Sequence, residues 1–333
     1  MSKHLTRRRF TLAAAAALVA TRLPAQGASS ARASVATMEH DRVLADAAVA
    51  ISARPVTTAE VSAAVAALSA AFLITKEERY ALAAQTHLNE WLPAPVSKSP
   101  NPPSVVELIP VAELARATSF LVDAIHLDQI DAWLNDLLFW LTTARAPVIA
   151  RDTKDHRASA WLLIASAIAR SQQYNNTLAQ ETLEQCRHLF RKPTLRNQID
   201  EVGRFPQELA TPNPFRNTLF NFDLLCGACQ LLESPFDLLW AYELADGPGM
   251  RSVAAYLFPI LQDRNKWPGV SDAEHFRELP GRRPGLLFAG RAFNRPEYVD
   301  LWRTTTAAIP ADIAASFPIR QPLLWTARAG HGL

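Results

Sequence analysis

The sequence predicts an all-α protein made of repeated helical hairpins. Apolar residues recur at spacings of three and four along most of the chain, whereas stretches that alternate apolar and polar residues are short. Glycine is also scarce, with 11 in 333 residues, which disfavours a turn-rich β protein. Successive amphipathic helices need partners for their apolar stripes, and neighbours in sequence tend to pack as antiparallel hairpins.

Helical periodicity runs first through residues 39–146, where Thr58 and Asp128 supply helix-start signals. Further helical stretches are predicted at residues 158–171, 177–190, 219–232 and 249–261. Most of the 23 prolines lie in the connections between helices, so we expect stiff loops. No linker is long enough to divide the chain, which predicts a single domain over residues 28–333.

The first 27 residues have the composition of an export signal. Paired arginines in the stretch 6–10 precede an alanine-rich run that is shorter than the roughly 18 residues needed to span a bilayer. This pattern resembles a cleaved twin-arginine signal and predicts a periplasmic or secreted protein. An uncleaved anchor is the alternative.

Charge and cysteine content exclude several classes of function. Loss of the five cations of the signal changes the formal charge from +2 to −3, so a nucleic-acid partner is not expected, nor a membrane partner after cleavage. Cys186, Cys226 and Cys229 have no zinc-ligand spacing, and we expect neither a metal nor another cofactor. Cys226 and Cys229 are interpreted as buried helix thiols or, alternatively, as a redox pair.

Two polar segments stand directly before long apolar helices. Lys154, Asp155 and His156 precede the run 161–169, and the proline-rich loop 203–217 precedes the helix that starts near Leu219. We expect the two segments to open onto one cleft. Phe220 and Phe222 are predicted to anchor the loop by packing.

These segments resemble the alginate lyase family, helical polysaccharide lyases of exported bacterial proteins. Asp155-His156 is similar to the family's Asn-Asn-His motif, residues 203–222 are similar to its Glu-Leu and Ser-Leu-Phe-Asn-Leu signature, and residues 239–268 resemble its ending. The resemblance covers about residues 60–290. It implies an incomplete (α/α) toroid of about five or six helix pairs and β-elimination on an acidic, uronate-containing polysaccharide without a metal.

Only some of the family's catalytic residues are present at the matching positions of this chain. His156 falls on the family histidine, but Asp155 stands in place of an asparagine, Thr211 in place of an arginine and Asn217 in place of the tyrosine that carries protons. An ionised Asp155 would repel a substrate carboxylate unless its surroundings, Lys154 among them, compensate.

The lyase hypothesis assigns catalytic roles to His156, Asp155, Arg216 and Asn217. It assigns substrate binding to Lys154, Trp161, Arg204, Glu208, Thr211 and Tyr242. Tyr242 or Tyr256 is a candidate proton donor, because an arginine side chain does not deprotonate in proteins.

Two other hypotheses are kept beside the lyase. The first is a catalytically silent glycan-binding or assembly protein on the same scaffold. The second is a glycoside hydrolase that uses the carboxyl groups of Asp155 and Glu208.

Overall fold

A computed structural model describes residues 26–174, 176–272, 276, 279, 282–305 and 317–327, with side chains from residue 35 onward. The described residues are mostly helical and contain no β-strand, only two isolated β-bridges. This confirms the predicted all-α class. Residues 1–25 of the predicted export signal lie outside the described residues.

The first part of the chain forms eight α-helices. They are α1 (Gln26–Ser52), α2 (Thr58–Thr75), α3 (Glu78–Trp91), α4 (Ile109–Thr118), α5 (Asp128–Thr143), α6 (Arg145–Arg151), α7 (His156–Gln172) and α8 (Thr177–Leu189). Thr57 caps α2 in a capping box with Glu60.

The second part begins with a π-helical turn at Phe190–Thr194. Seven α-helices follow: α9 (Leu195–Gln198), α10 (Pro206–Leu209), α11 (Pro214–Leu232), α12 (Met250–Gln262), α13 (Pro284–Ala292), α14 (Pro296–Thr304) and α15 (Pro322–Thr326). Five of these helices have proline in their first turn, where its missing N–H costs no helix hydrogen bond.

The core is built along the series α2, α4, α7, α11 and α13, in which each helix packs against the next. Helix α2 is long and apolar enough to cross a membrane by composition, but it also contacts α1 and α3, and 56% of it is buried. We therefore assign α2 to the core. Cys226 and Cys229 are free, buried thiols of α11, in agreement with the first of their two interpretations.

A buried ion pair joins α11 to α13. Asp223 is completely buried, forms an ion pair with the guanidinium of Arg283 and accepts a hydrogen bond from Gly285 N at 3.0 Å. Burial raises the pKa of Asp223 to about 6, against the opposing effect of Arg283. Removing one partner of such a pair leaves an uncompensated buried charge, so the pair fixes how these helices pack.

The turn before α10 brings the loop 203–217 close to α12. Asp200 accepts hydrogen bonds from Val202 N and Arg204 N, and Gly203 takes a positive φ of 89°. A Cβ atom on Gly203 would lie 2.4 Å from the backbone oxygen of Ser252. Glycine is therefore required by both the backbone conformation and the close approach of α12.

We predict that Gly203→Ala lowers the free energy of unfolding by about 3 kcal/mol, from backbone strain plus overpacking against α12. Gly247→Ala is the matched control, because Gly247 also has a positive φ of 109° but an added Cβ would meet nothing within 4 Å. Strain alone should cost about 1 kcal/mol there. Urea unfolding of both variants measures the difference, and equal losses would contradict the packing argument.

Candidate active site

His156 and Glu208 bring the two polar segments together. Glu208 lies on the short helix α10, and its Oε1 accepts a hydrogen bond from the backbone N–H of His156 at 2.7 Å. The imidazole Nδ1 lies 3.1 Å from Glu208 Oε2 and 3.2 Å from Oε1. A side chain in one segment thus holds both the backbone and the ring of the first residue of α7.

A buried polar network supports Glu208 from behind. Asn221 Nδ2 donates to Glu208 Oε1 at 3.2 Å and to Gln198 Oε1 at 2.9 Å, and Ser159 Oγ donates to Gln198 Oε1 at 3.0 Å. All four side chains are almost completely buried. These hydrogen bonds connect Glu208 to α7, α9 and α11, and sequence analysis identified only Glu208 among the four residues.

The arrangement determines which nitrogen of His156 is available for chemistry. Because a carboxylate only accepts hydrogen bonds, Nδ1 carries the proton in the neutral ring and Nε2 keeps its lone pair. The His156 side chain is 26% exposed, whereas that of Glu208 is 1% exposed. The hydrogen bond to Glu208 raises the pKa of His156 above its ordinary value, while burial acts in the opposite direction.

Asp155 caps α7 and is neutralised by an arginine. Its Oδ1 accepts from Arg157 N at 3.0 Å, and its Oδ2 pairs with Arg157 Nη2 at 2.7 Å. Although burial acts to raise it, the pKa of Asp155 lies below its ordinary value because of the hydrogen bonds from Arg157 and Thr153. The compensating cation is thus Arg157, whereas Lys154 is exposed.

Thr211 and Asn217, which occupy the expected arginine and tyrosine positions, bind each other. Asn217 Nδ2 donates to Thr211 Oγ1 at 3.0 Å, and Thr211 Oγ1 donates to the backbone oxygen of Glu208 at 2.7 Å. The pair thereby connects the start of α11 to α10. Asn217 retains a second amide hydrogen that this bond does not use.

Arg216 lies near the end of the loop 203–217 and lines a cavity of about 250 Å³. Asp272 binds the backbone N–H groups of Phe215 and Arg216 at 3.1 and 2.7 Å, which fixes the first turn of α11. The exposed guanidinium of Arg216 has no ion pair among the described residues. One helical turn later, Phe220 lines the same cavity, and its ring packs edge-on against His156 with 5.9 Å between centroids.

Three predicted binding residues lie outside this cluster. Trp161 is 0% exposed and donates its indole N–H to Leu141 O at 2.9 Å, so the prediction that it binds substrate is corrected: it is a core residue. Arg204 pairs with Asp200 at 2.7 Å, and Tyr242 lies under the guanidinium of Arg191. No contact among the described residues joins Arg204 or Tyr242 to His156.

The proposed proton donor Tyr256 is also placed elsewhere. Its hydroxyl is buried without a hydrogen-bond partner, and the nearby charges that act on it are Arg204 and Asp200. No tyrosine is among the described residues that line the cavity with Arg216. The described residues also contain no group of three or more His, Cys, Asp or Glu side chains placed to hold a metal ion.

The chain is an all-helical protein with a histidine at the entrance of a buried helix. The family model described as "Alginate lyase" matches residues 48–267, more than half of the chain, and the chain belongs to this family. It is similar in fold to the crystal structure of an alginate lyase from Bacteroides ovatus, with a TM-score of 0.62 and 19% sequence identity. That alignment covers 80% of this chain and 73% of the other. No curated protein is significantly similar to the sequence.

Family membership supports polysaccharide lyase activity in general and an acidic polysaccharide as the substrate. It does not favour the hydrolase or the silent binder.

We predict that Glu208→Gln lowers the pKa of His156, since the variant removes the carboxylate that favours the imidazolium form. A raised histidine pKa stabilises the folded state below the unfolded value of about 6.5, and this contribution is lost as pH rises through the folded pKa. The stability lost in Glu208→Gln should therefore be larger at about pH 6 than at about pH 9.

Urea unfolding at both pH values and NMR titration of the His156 ring measure these effects. Glu201→Gln is the control, because Glu201 is an exposed acid just before the loop 203–217. An unchanged titration of His156 in Glu208→Gln would show that the carboxylate does not act on the ring.

Proposed function

We propose that this protein cleaves an alginate-like, uronate-containing polysaccharide by β-elimination, with His156 as the proton acceptor and Arg216 as the partner of the substrate carboxylate. The observation that carries the proposal is the contact chain Glu208–His156–Phe220. The Glu208 carboxylate holds the imidazole by Nδ1, so Nε2 keeps its lone pair, and Phe220, whose ring packs against the imidazole, lines the same cavity as Arg216.

The reaction requires three operations, and two side chains supply them in this proposal. Arg216 neutralises the C6 carboxylate, which acidifies the adjacent C5–H bond. Nε2 of His156 takes the C5 proton, the C4=C5 double bond forms, and the bond from C4 to the bridging oxygen breaks. The hydrogen bond to Glu208 favours the charged imidazolium and so helps this first proton transfer, after which the imidazolium returns the proton to the departing oxygen.

Asn217 and Thr211 hold the loop in place in the proposed mechanism. Their mutual hydrogen bond holds the loop against α10, and the second amide hydrogen of Asn217 is available to a substrate oxygen. Asp155 orients the entrance of α7 while Arg157 neutralises its charge, so it does not repel the uronate.

The hydrolase alternative requires two carboxyl groups that reach the substrate. Glu208 is completely buried and its oxygens bind His156 and Asn221. Asp155 is bound to Arg157. Neither carboxyl group is free to deliver a proton to a glycosidic oxygen.

We predict that the purified protein generates the ultraviolet absorbance of unsaturated uronates from alginate, polymannuronate, glucuronan or hyaluronan. His156→Gln should lower kcat/KM by about 10²- to 10⁴-fold, the range for loss of a general base. Arg216→Gln should lower it about a hundredfold, because charge develops next to the guanidinium in the transition state. Arg145→Gln, at an exposed arginine outside the cavity, is the control. New reducing ends without absorbance would indicate hydrolysis and contradict the proposal.

One observation favours the silent glycan binder as a second candidate. The two positions where the resemblance implies an arginine and a tyrosine hold Thr211 and Asn217, which bind each other. Binding of polyuronate without any absorbance change is the expected behaviour of such a protein.

The double variant Thr211→Arg/Asn217→Tyr separates the two candidates. Under the lyase proposal, activity falls about tenfold or more, because the substitutions break the bond that holds the loop and place a second cation beside Arg216. Activity that appears only in the double variant would support the silent binder.

Architecture and location are part of the proposal. The helical hairpins form an incomplete (α/α) toroid of about five or six pairs, in one domain over residues 28–333. Residues 1–27 direct export and are removed, so the protein acts in the periplasm or outside the cell on a polymer found there. The paired arginines and the short apolar run support this location.

A further inference from the structure

A second and larger cavity continues from the one beside Arg216. It has a volume of about 820 Å³, which is within the range of ligand-binding pockets, and it lies between α1, α2 and residues 317–322. Both cavities are lined by Ala63, Phe317 and Arg320, so they are neighbours on the surface of α2. We call the two cavities together the α2 trough.

The carboxylates that line the α2 trough are all occupied by donors of the protein itself. Glu39 accepts from Arg42 and Arg282, each at 2.5 Å, and Asp46 accepts from Arg42 at 2.7 Å. Glu60 binds the backbone N–H groups of Val56 and Thr57 at 3.0 and 2.9 Å. Glu113 binds those of Arg320 and Gln321 at 2.8 and 2.7 Å.

Two of the arginines that line the α2 trough are not occupied in this way. Arg216 lines the smaller cavity and Arg54 the larger one; both are exposed, and neither guanidinium has an ion pair or hydrogen bond among the described residues. Because the carboxylates of the wall are already bound, the charge that each cavity offers to a ligand is positive. An anion at each end of the ligand complements this arrangement.

The wall between the two arginines suits a chain of sugar rings more than a small anion. Ala53, Pro55, Ala63 and Phe317 contribute apolar surface, and Phe317 is partly exposed beside Arg320. Apolar surface with a few polar groups is the usual composition of a site for an extended organic ligand. A free phosphate or a single uronate would leave most of this surface uncovered.

We propose that the α2 trough binds an extended polyuronate chain, with Arg54 as a distant subsite for the carboxylate of a unit far from the one at Arg216. This inference rests on the proposed function in taking the anionic chain to be a uronate polymer. It adds that Arg54 makes binding depend on chain length, because only a chain that extends from the smaller cavity into the larger one contacts both arginines.

Binding of saturated mannuronate oligomers to the His156→Gln protein tests the proposal, since the proposed proton acceptor is absent and the oligomer stays intact. Isothermal titration calorimetry compares a disaccharide with an octasaccharide. We expect Arg54→Gln to weaken octasaccharide binding about tenfold and to leave disaccharide binding unchanged, and we expect Arg54→Lys to recover most of the loss. The effect should shrink at high salt, because exposed charges are screened.

Arg145→Gln in the same background is the matched control, and it should change the binding of neither oligomer. An octasaccharide affinity that Arg54→Gln leaves unchanged would overturn the Arg54 subsite while the proposed function stands. Equal losses for both oligomers would also overturn it, because they indicate a general change in the trough. If neither oligomer binds to the parent protein, the proposed function fails and the inference fails with it.

Discussion

The buried carboxylate of Glu208 is the constraint on which the rest of the site depends. A carboxylate without access to water is costly unless hydrogen bonds satisfy its oxygens. Glu208 meets this demand with the backbone and ring of His156 and with the amide of Asn221. Those donors come from the beginning of α7 and the interior of α11, so satisfying one side chain fixes α7, α10 and α11 relative to one another.

The same constraint decides what His156 can do. An imidazole held only by packing could offer either ring nitrogen to a substrate. An imidazole that is hydrogen-bonded to a carboxylate through Nδ1 offers Nε2. Gln198 and Asn221 stand behind Glu208, and Ser159 completes the network on the side of α7. The carboxylate therefore cannot turn towards the substrate without leaving buried polar groups unpaired, which costs about 1 to 3 kcal/mol for each group.

Helical periodicity predicted the fold class and the approximate positions of the long helices, because the apolar face of a helix is a local property. A common cleft for His156 and the loop 203–217 was predicted from the resemblance and from the positions of both segments ahead of apolar helices, whereas the direct contact between Glu208 and His156 was not. Trp161 was wrong as a binding residue because it lies on a helix that is buried on all sides, where sequence spacing does not distinguish a core indole from one that faces a cleft. Arg204 was close in sequence to the site, but Asp200 holds its side chain.

The features that sequence analysis missed are contacts between segments that lie far apart in the chain. Asn221 stands in an apolar run, and the only signal of its role is the presence of an amide between Phe220 and Phe222. Phe220 was expected to pack, and it does so against the catalytic candidate itself. The α2 trough combines α1, α2 and residues 317–322, which no local pattern brings together.

At positions 155, 211 and 217 this chain differs from the residues that the family resemblance implies. These three differences can be understood together as a redistribution of charge. Three carboxylates of the candidate site and its cavity are bound by the protein: Asp155 by Arg157, Glu208 by His156 and Glu113 by backbone N–H groups. In the proposed mechanism, Arg216, one residue before Asn217, is the exposed cation that attracts the uronate. A carboxylate at position 155 is then compatible with an anionic substrate, because its charge is offset within α7 before a ligand arrives. In the proposed mechanism, the remaining chemistry is a proton transfer at one imidazole, and its electrostatic support comes from groups that are already fixed in the folded state.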